Sequence, residues 1–169
     1  MIRMPIVDLQ AHAKTLGDSG QRVSVLWQDS ESIGFLARGR EYRSEFHINP
    51  SDEVMLMVRG EMRLHYRTQE GKEDVAVIPE GSTIFTPTGV PHSPRFPPDA
   101  FALIMERKRR PGEVDHFLWF CPRCDHLLHD ESAVVDDYHA DPVSKAYARF
   151  FDSEDLRTCK RCSHVMPKP

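Results

Sequence analysis

A surplus of one sign of charge is absent from this chain of 169 residues. It has 22 Lys and Arg against 26 Asp and Glu, a net charge of -4 and a pI near 6.1. That balance argues against a nucleic-acid binder, whose footprint is a basic patch or stripe. The one basic run, Arg107-Lys108-Arg109-Arg110, has acidic residues around it and reads as a solvated strand end. Long apolar runs are also missing. None approaches the length of a membrane span, and Met1 to Asp8 has no apolar stretch of the signal-peptide kind. The expectation is a soluble, cytoplasmic protein. Cysteine is scarce, with four residues in two C-x2-C pairs. In a reducing compartment such pairs suggest metal more than disulfides. The length fits one domain with a short appendage, and 40% apolar residues can support a sizeable core.

What is present is a rhythm of short runs. Residues 5–16 read as a short helix with Ile6, Leu9 and Ala13 on one face. Apolar or alternating runs then follow at 23–27, 33–37, 44–48, 54–58, 62–66, 75–78, 83–86, 101–105 and 117–120. Turn residues separate them, among them Asn49-Pro50-Ser51-Asp52, Arg59-Gly60, Pro79-Glu80-Gly81 and Thr88-Gly89. Many short strands at regular spacing imply an all-β sandwich or barrel. Residues 143–152 read as a helix with Val143, Ala146, Tyr147, Phe150 and Phe151 in one apolar stripe.

Two sets of residues carry chemistry. In the first, His47 ends a strand, a turn spans 49–52, and Glu53 opens the next strand, so a hairpin can aim both side chains inward at the same end. His92 follows the turn-rich Pro87-Thr88-Gly89-Val90-Pro91, where Pro and Gly fix the backbone. Two imidazoles and one carboxylate on one side of a metal leave the opposite positions open, as in non-haem Fe(II) oxygenases. In the second set, Cys121, Cys124, Cys159 and Cys162 form two knuckles suited to a closed tetrahedral site for iron or zinc. Among the other histidines, His12, His65, His116 and His139 read as surface residues or satisfied polar contacts. His126, His129 and His164 lie near the thiols but outside a complete set of four.

The spacing Gly81-x5-Pro87-x-Gly89-x2-His92 resembles the second cupin motif, and His47-x5-Glu53-x6-Gly60 resembles the first. Cupins commonly carry two His separated by one residue in that first motif, and here the earlier position is Glu45. Three ligands are therefore expected. The stretches Trp27-Gln28-Asp29-Ser30, Tyr42 to His47, Asp52-Glu53, Pro91 to Phe96 and Met105-Glu106-Arg107 resemble the 3-hydroxyanthranilate 3,4-dioxygenase family, from about residue 20 to 165. The cysteine tail resembles the bacterial members.

The resemblance implies an all-β cupin or jelly-roll barrel at 1–120, with a short N-terminal helix, and a C-terminal extension at 121–169 holding a helix and a rubredoxin-like site. It implies Fe(II) on His47, Glu53 and His92, and a second iron or zinc on the four Cys. It implies ring opening of 3-hydroxyanthranilate, or a close analogue, by dioxygen. The aminocarboxymuconate semialdehyde formed closes to quinolinate, a precursor of NAD. It also implies a homodimer. Substrate contacts map to Arg43, Arg95 and Glu106, and a planar guanidinium is the natural partner for an aromatic carboxylate. Even spacing along a strand would place Arg43, Glu45 and His47 on one face. Glu45 and Glu106 are therefore the expected catalytic carboxylates. Glu45 would hold a ligand or Arg43, and Glu106 would accept a hydrogen bond or a proton from the substrate.

Three departures surround the expected pocket. The family's His-Ser-Pro-Gln-Arg is one residue shorter at His92-Ser93-Pro94-Arg95. A Gly-Pro-Asn turn is replaced by Arg38-Gly39-Arg40-Glu41, and an expected Asn is Val23. The competing reading is a non-enzymatic cupin that binds or senses a small aromatic acid.

Overall fold

The computed structural model describes residues 4–139 and 142–169. Helix α1 (Leu9–Ser19) leads into strands β1 (Val23–Trp27), β2 (Ser32–Arg38), β3 (Phe46–Ile48), β4 (Glu53–Arg59), β5 (Met62–Arg67), β6 (Glu73–Ile78) and β7 (Thr83–Thr86). Strands β8 (His92–Arg95), β9 (Phe101–Arg107), β10 (Asp115–Phe120) and β11 (Leu127–Ala133) follow, then helices α2 (Pro142–Asp152) and α3 (Glu154–Arg157). The strands form two antiparallel sheets, β1-β2-β9-β4-β7 and β11-β10-β3-β8-β5-β6. This is the expected barrel of two facing sheets.

Alternation builds the interior. In β4, Glu53, Met55 and Met57 are buried while Val54 and Leu56 are only partly so. Met55 and Met57 join Met62, Leu64, Ile78, Phe96, Ala102 and Ile104 in the barrel core. That apolar filling leaves the ends of the strands free to carry polar groups. Gly39 is required by close approach: a Cβ there would lie 2.0 Å from the Pro97 carbonyl oxygen. The chain is pinned at this point, with Gly39 N–H donating to Ala100 O and Arg40 N–H to Phe96 O.

Helix α1 starts later than its pattern predicts. Asp8 caps it by accepting from the N–H groups of Gln10 and Ala11, so Ile6 lies before the helix and is 99% exposed. Ala13, Leu16 and the partly buried Leu9 pack on Leu36, Val58 and Phe101. Helix α2 carries the predicted stripe. Ala146, Phe150 and Phe151 pack with Phe117 and Trp119, and Phe150 stacks on Trp119 at 4.4 Å.

Two strands lie outside the predicted set. β8 contains Pro94 and no apolar alternation, and β11 is largely polar. The expected division after residue 120 falls inside the β10–β11 hairpin, where Phe120 pairs with Leu127. The C-terminal stretch thus shares a sheet and a core with the barrel. Among the described residues, no helix is long and apolar enough to cross a membrane.

Candidate active site

His47, Glu53 and His92 come from β3, β4 and β8, and one ligand atom from each lies within 4.8 Å of the others. Cross-strand pairing explains the convergence, since His47 is the register partner of His92. The Nδ1–H of His92 donates to Val90 O at 2.9 Å. Its buried Nε2 has no hydrogen bond, although Glu53 Oε2 is 2.9 Å away in poor alignment. A buried imidazole nitrogen with a free lone pair beside a carboxylate fits a metal ligand. His47 bonds through Nε2 to Asp115 Oδ2 at 2.6 Å and stacks on Phe117 at 5.3 Å, which together fix its ring.

The electrostatics agree with this donor set. Burial lowers the basicity of His47 and keeps the ring neutral. Burial also works against charge on His92, but the Glu53 carboxylate outweighs it and raises the ring's pKa. Burial would raise Glu53, yet His92 and His47 hold it below its usual range.

Beside these three candidate ligands runs a second, acidic network. Asn49 Nδ2 donates to Glu53 Oε2 at 3.0 Å and to Glu106 Oε2 at 2.8 Å. Arg109 reaches Glu106 at 3.0 Å and grips Asp115 through Nε and Nη2 at 2.6 and 2.7 Å. Burial, and then the neighbouring Glu53 charge, push Glu106 up to about 7. Asp115 goes the other way: burial opposes its charge, but hydrogen bonds from Arg109 and His47 bring it to about 2.

Arg109 corrects the reading of its basic run as a solvated strand end. Its side chain is 6% exposed, because two buried carboxylates need a shared cation. The acids flanking the run, Glu106 and Asp115, were the signal available in the sequence. Asn49, read only as a turn residue, carried no such signal.

A cavity opens over His47, Glu53 and His92. Its wall includes Arg43, Glu106, Phe35, Pro94, Phe96 and Phe117. Arg43 and Glu106, the expected substrate contacts, are thus both in the cavity wall. Arg95 does not line it. In β8 the side chains alternate, so His92 and Pro94 face the cavity, and Phe96 continues that face. Arg95 lies on the opposite face, with Nε donating to Ser93 Oγ at 3.2 Å and its guanidinium 5.7 Å over the Phe46 ring. At three residues from His92 along the same strand, Arg95 has the opposite parity and points to the other face. Arg22, Arg38 and Arg40 stand in the cavity wall as well.

Glu45 is also outside the lining. It is fully buried, forms an ion pair with Arg43 Nε at 2.7 Å and accepts from the Tyr147 hydroxyl at 2.5 Å. The expected common face of Arg43, Glu45 and His47 is not found, because β3 begins only at Phe46.

The four thiols converge separately. Cys121 and Cys162 Sγ are 3.6 Å apart, and Cys124 and Cys159 are 3.5 Å apart. All four lie within 4.8 Å of one another. A disulfide needs about 2.05 Å, whereas sulfurs at tetrahedral metal bonds of about 2.3 Å sit roughly 3.8 Å apart. The two knuckles repeat one backbone pattern: Cys121 N–H donates to His126 O and Cys159 N–H to His164 O, both at 2.8 Å. Asp125 and Ser163 take positive φ at the equivalent turn position. Burial opposes charge on Cys159, but the N–H groups of Cys162 and Arg161 bring its thiol down to about 6.

A sequence profile of the 3-hydroxyanthranilic acid dioxygenase family matches residues 21–151. The chain belongs to this family. It is 38% identical over 144 residues to a 3-hydroxyanthranilate 3,4-dioxygenase of Bacillus cereus, covering 85% of this chain and 80% of that one. A Burkholderia lata protein of the same name is 33% identical over 166 residues, 95% of this chain and 90% of that one. A solved structure from Bacillus halodurans superimposes with a TM-score of 0.52 over 66% of this chain and 86% of that one, at 15% identity, a likeness of fold alone. The chain is a metal-dependent dioxygenase on a cupin barrel. A purely sensory cupin is not favoured.

Proposed function

We propose that this dioxygenase uses Fe(II) at His47, Glu53 and His92 to open the ring of 3-hydroxyanthranilate or a closely related aminophenol carboxylate. The convergence of these three residues beneath a cavity that also holds Arg43 and Glu106 carries the reading. Bound iron would relay electrons from the ring to dioxygen and supply the Lewis acidity that favours ionisation of the ring hydroxyl. The chain supplies the rest. Arg43 offers its planar donor edge to the carboxylate. Glu106, near 7, can take the hydroxyl proton at neutral pH. Phe35, Pro94, Phe96 and Phe117 flank the ring and exclude water. Both oxygen atoms enter the product, a 2-amino-3-carboxymuconate semialdehyde when 3-hydroxyanthranilate is the substrate.

Iron or zinc at Cys121, Cys124, Cys159 and Cys162 would tie the C-terminal stretch to the barrel, with every position on that metal filled. Four thiols kept for metal suit the cytoplasm. A homodimer is in keeping with the exposed apolar Val75, Val77 and Phe85 on edge strands β6 and β7. The test is anaerobic loading with Fe(II), then addition of 3-hydroxyanthranilate and air. Stoichiometric oxygen uptake with a transient semialdehyde absorbance is expected, and no uptake with any ring-substituted hydroxyanthranilate would overturn the assignment.

A further inference from the structure

Arg43 has a supporting problem. It lies outside β3, so no sheet hydrogen bonds hold it, yet it is the cavity arginine matched to the substrate carboxylate. We propose that Tyr147 of α2, acting through Glu45, positions Arg43 and thereby sets the cavity's selectivity for a carboxylate. This inference rests on the reading of the cavity as an aminophenol carboxylate site.

A short chain of contacts runs from helix to cavity. The Tyr147 hydroxyl accepts from the Ser44 N–H at 2.8 Å and donates to Glu45 Oε2 at 2.5 Å. The other Glu45 oxygen faces Arg43 Nε at 2.7 Å. The contact is an ion pair without hydrogen-bond alignment, as both atoms lack a hydrogen-bond partner, and it holds the guanidinium where its other donors can address a ligand in the cavity. Burial, and then the Glu45 charge, raise the Tyr147 pKa, so its hydroxyl stays a proton donor. The ring of Tyr147 also lies 5.9 Å beneath the guanidinium of Arg40, another residue of the cavity wall. One side chain therefore touches the support of one cavity arginine and the guanidinium of another. Arg95, the family's second candidate, faces away.

The anchor of Tyr147 is rigid. Phe150 and Phe151 on the same helix are buried against Trp119 and Phe117. Helix α2 in turn leads into α3 and the second cysteine knuckle. The C-terminal stretch thereby gains a bearing on substrate choice that its closed metal site does not give it.

The test compares two ligands that differ only in the carboxylate: 3-hydroxyanthranilate and 2-aminophenol. Dissociation constants would be measured anaerobically on metal-loaded wild type, Tyr147→Phe and Glu45→Gln. Each variant is expected to weaken 3-hydroxyanthranilate by about tenfold, the scale of one hydrogen bond to a charged group, and to leave 2-aminophenol within about twofold by the same reasoning. Equal weakening of both ligands, or no weakening of either, would overturn the proposal. Oxygen uptake by the wild type is read separately. Its absence sinks the ring-cleavage assignment without touching the binding comparison.

Discussion

Strand β10 has a candidate metal site at each end. Its first residue, Asp115, bonds to His47 in the cavity, and Cys121 directly follows its last. Six residues at about 3.3 Å each put the two ends roughly 20 Å apart. At one end the ligands come from three strands of one sheet wall and its facing sheet, and all approach from one side. That leaves room for a cavity, an arginine and a second acid. At the other end two knuckles close on each other, and their four thiols surround the space they share. The same strand supports both, so openness is decided by the direction from which ligands arrive and not by depth of burial.

The sharpest way to break this comparison is to damage the open end alone. Glu53→Ala should lower kcat on the order of a thousandfold or more, while metal analysis still finds the thiol site filled. Loss of both metals together would show that the ends are not independent. The converse change, Cys159→Ser with Cys162→Ser, should empty the thiol site. It should also lower the melting temperature on the order of 10 °C, read by calorimetry. If the proposed Tyr147 link holds, KM for the carboxylate substrate rises in the same protein.

Within the open end, Arg43→Ala should raise KM for 3-hydroxyanthranilate by about 10- to 100-fold, the loss of a charge-assisted contact. The acidic network gives a pH signature. Glu106 is protonated more readily folded, at about 7, than at its ordinary 4.5. Its favourable contribution is complete below about pH 4.5 and is lost as pH rises through 7. Urea unfolding of metal-free protein should show wild type losing about 1–3 kcal/mol relative to Glu106→Gln across that window. The smallest effect should come from Arg95→Ala. Its guanidinium lies over Phe46 outside the cavity, so KM should move by less than about threefold. A larger rise would mean that Arg95 re-enters the cavity when substrate binds.

Much of the site was legible because its residues are marked by spacing. His47 and Glu53 flank a turn, His92 follows a Gly- and Pro-rich one, and paired cysteines two residues apart have few other uses. Strands with apolar alternation were equally plain. β8 was not, since Pro94 and the polar neighbours of His92 carry no period. Glu45 and Arg109 were misplaced for a related reason. A charged side chain looks alike in sequence whether it is solvated or buried against a partner 6 or 102 residues away, as Arg109 is with Asp115 and Glu45 with Tyr147.

The sequence by itself determined the kind of protein: an antiparallel barrel, two spaced sets of candidate metal-binding residues, and membership of a dioxygenase family. Tertiary structure decided which charged groups line the cavity. Strand parity turned Arg95, three residues after His92, to the outer face, and a helix from the far end of the chain took hold of Glu45. Ligand identity is written in local spacing, whereas the aim of a side chain depends on which face of a sheet it occupies and on what distant surface packs there.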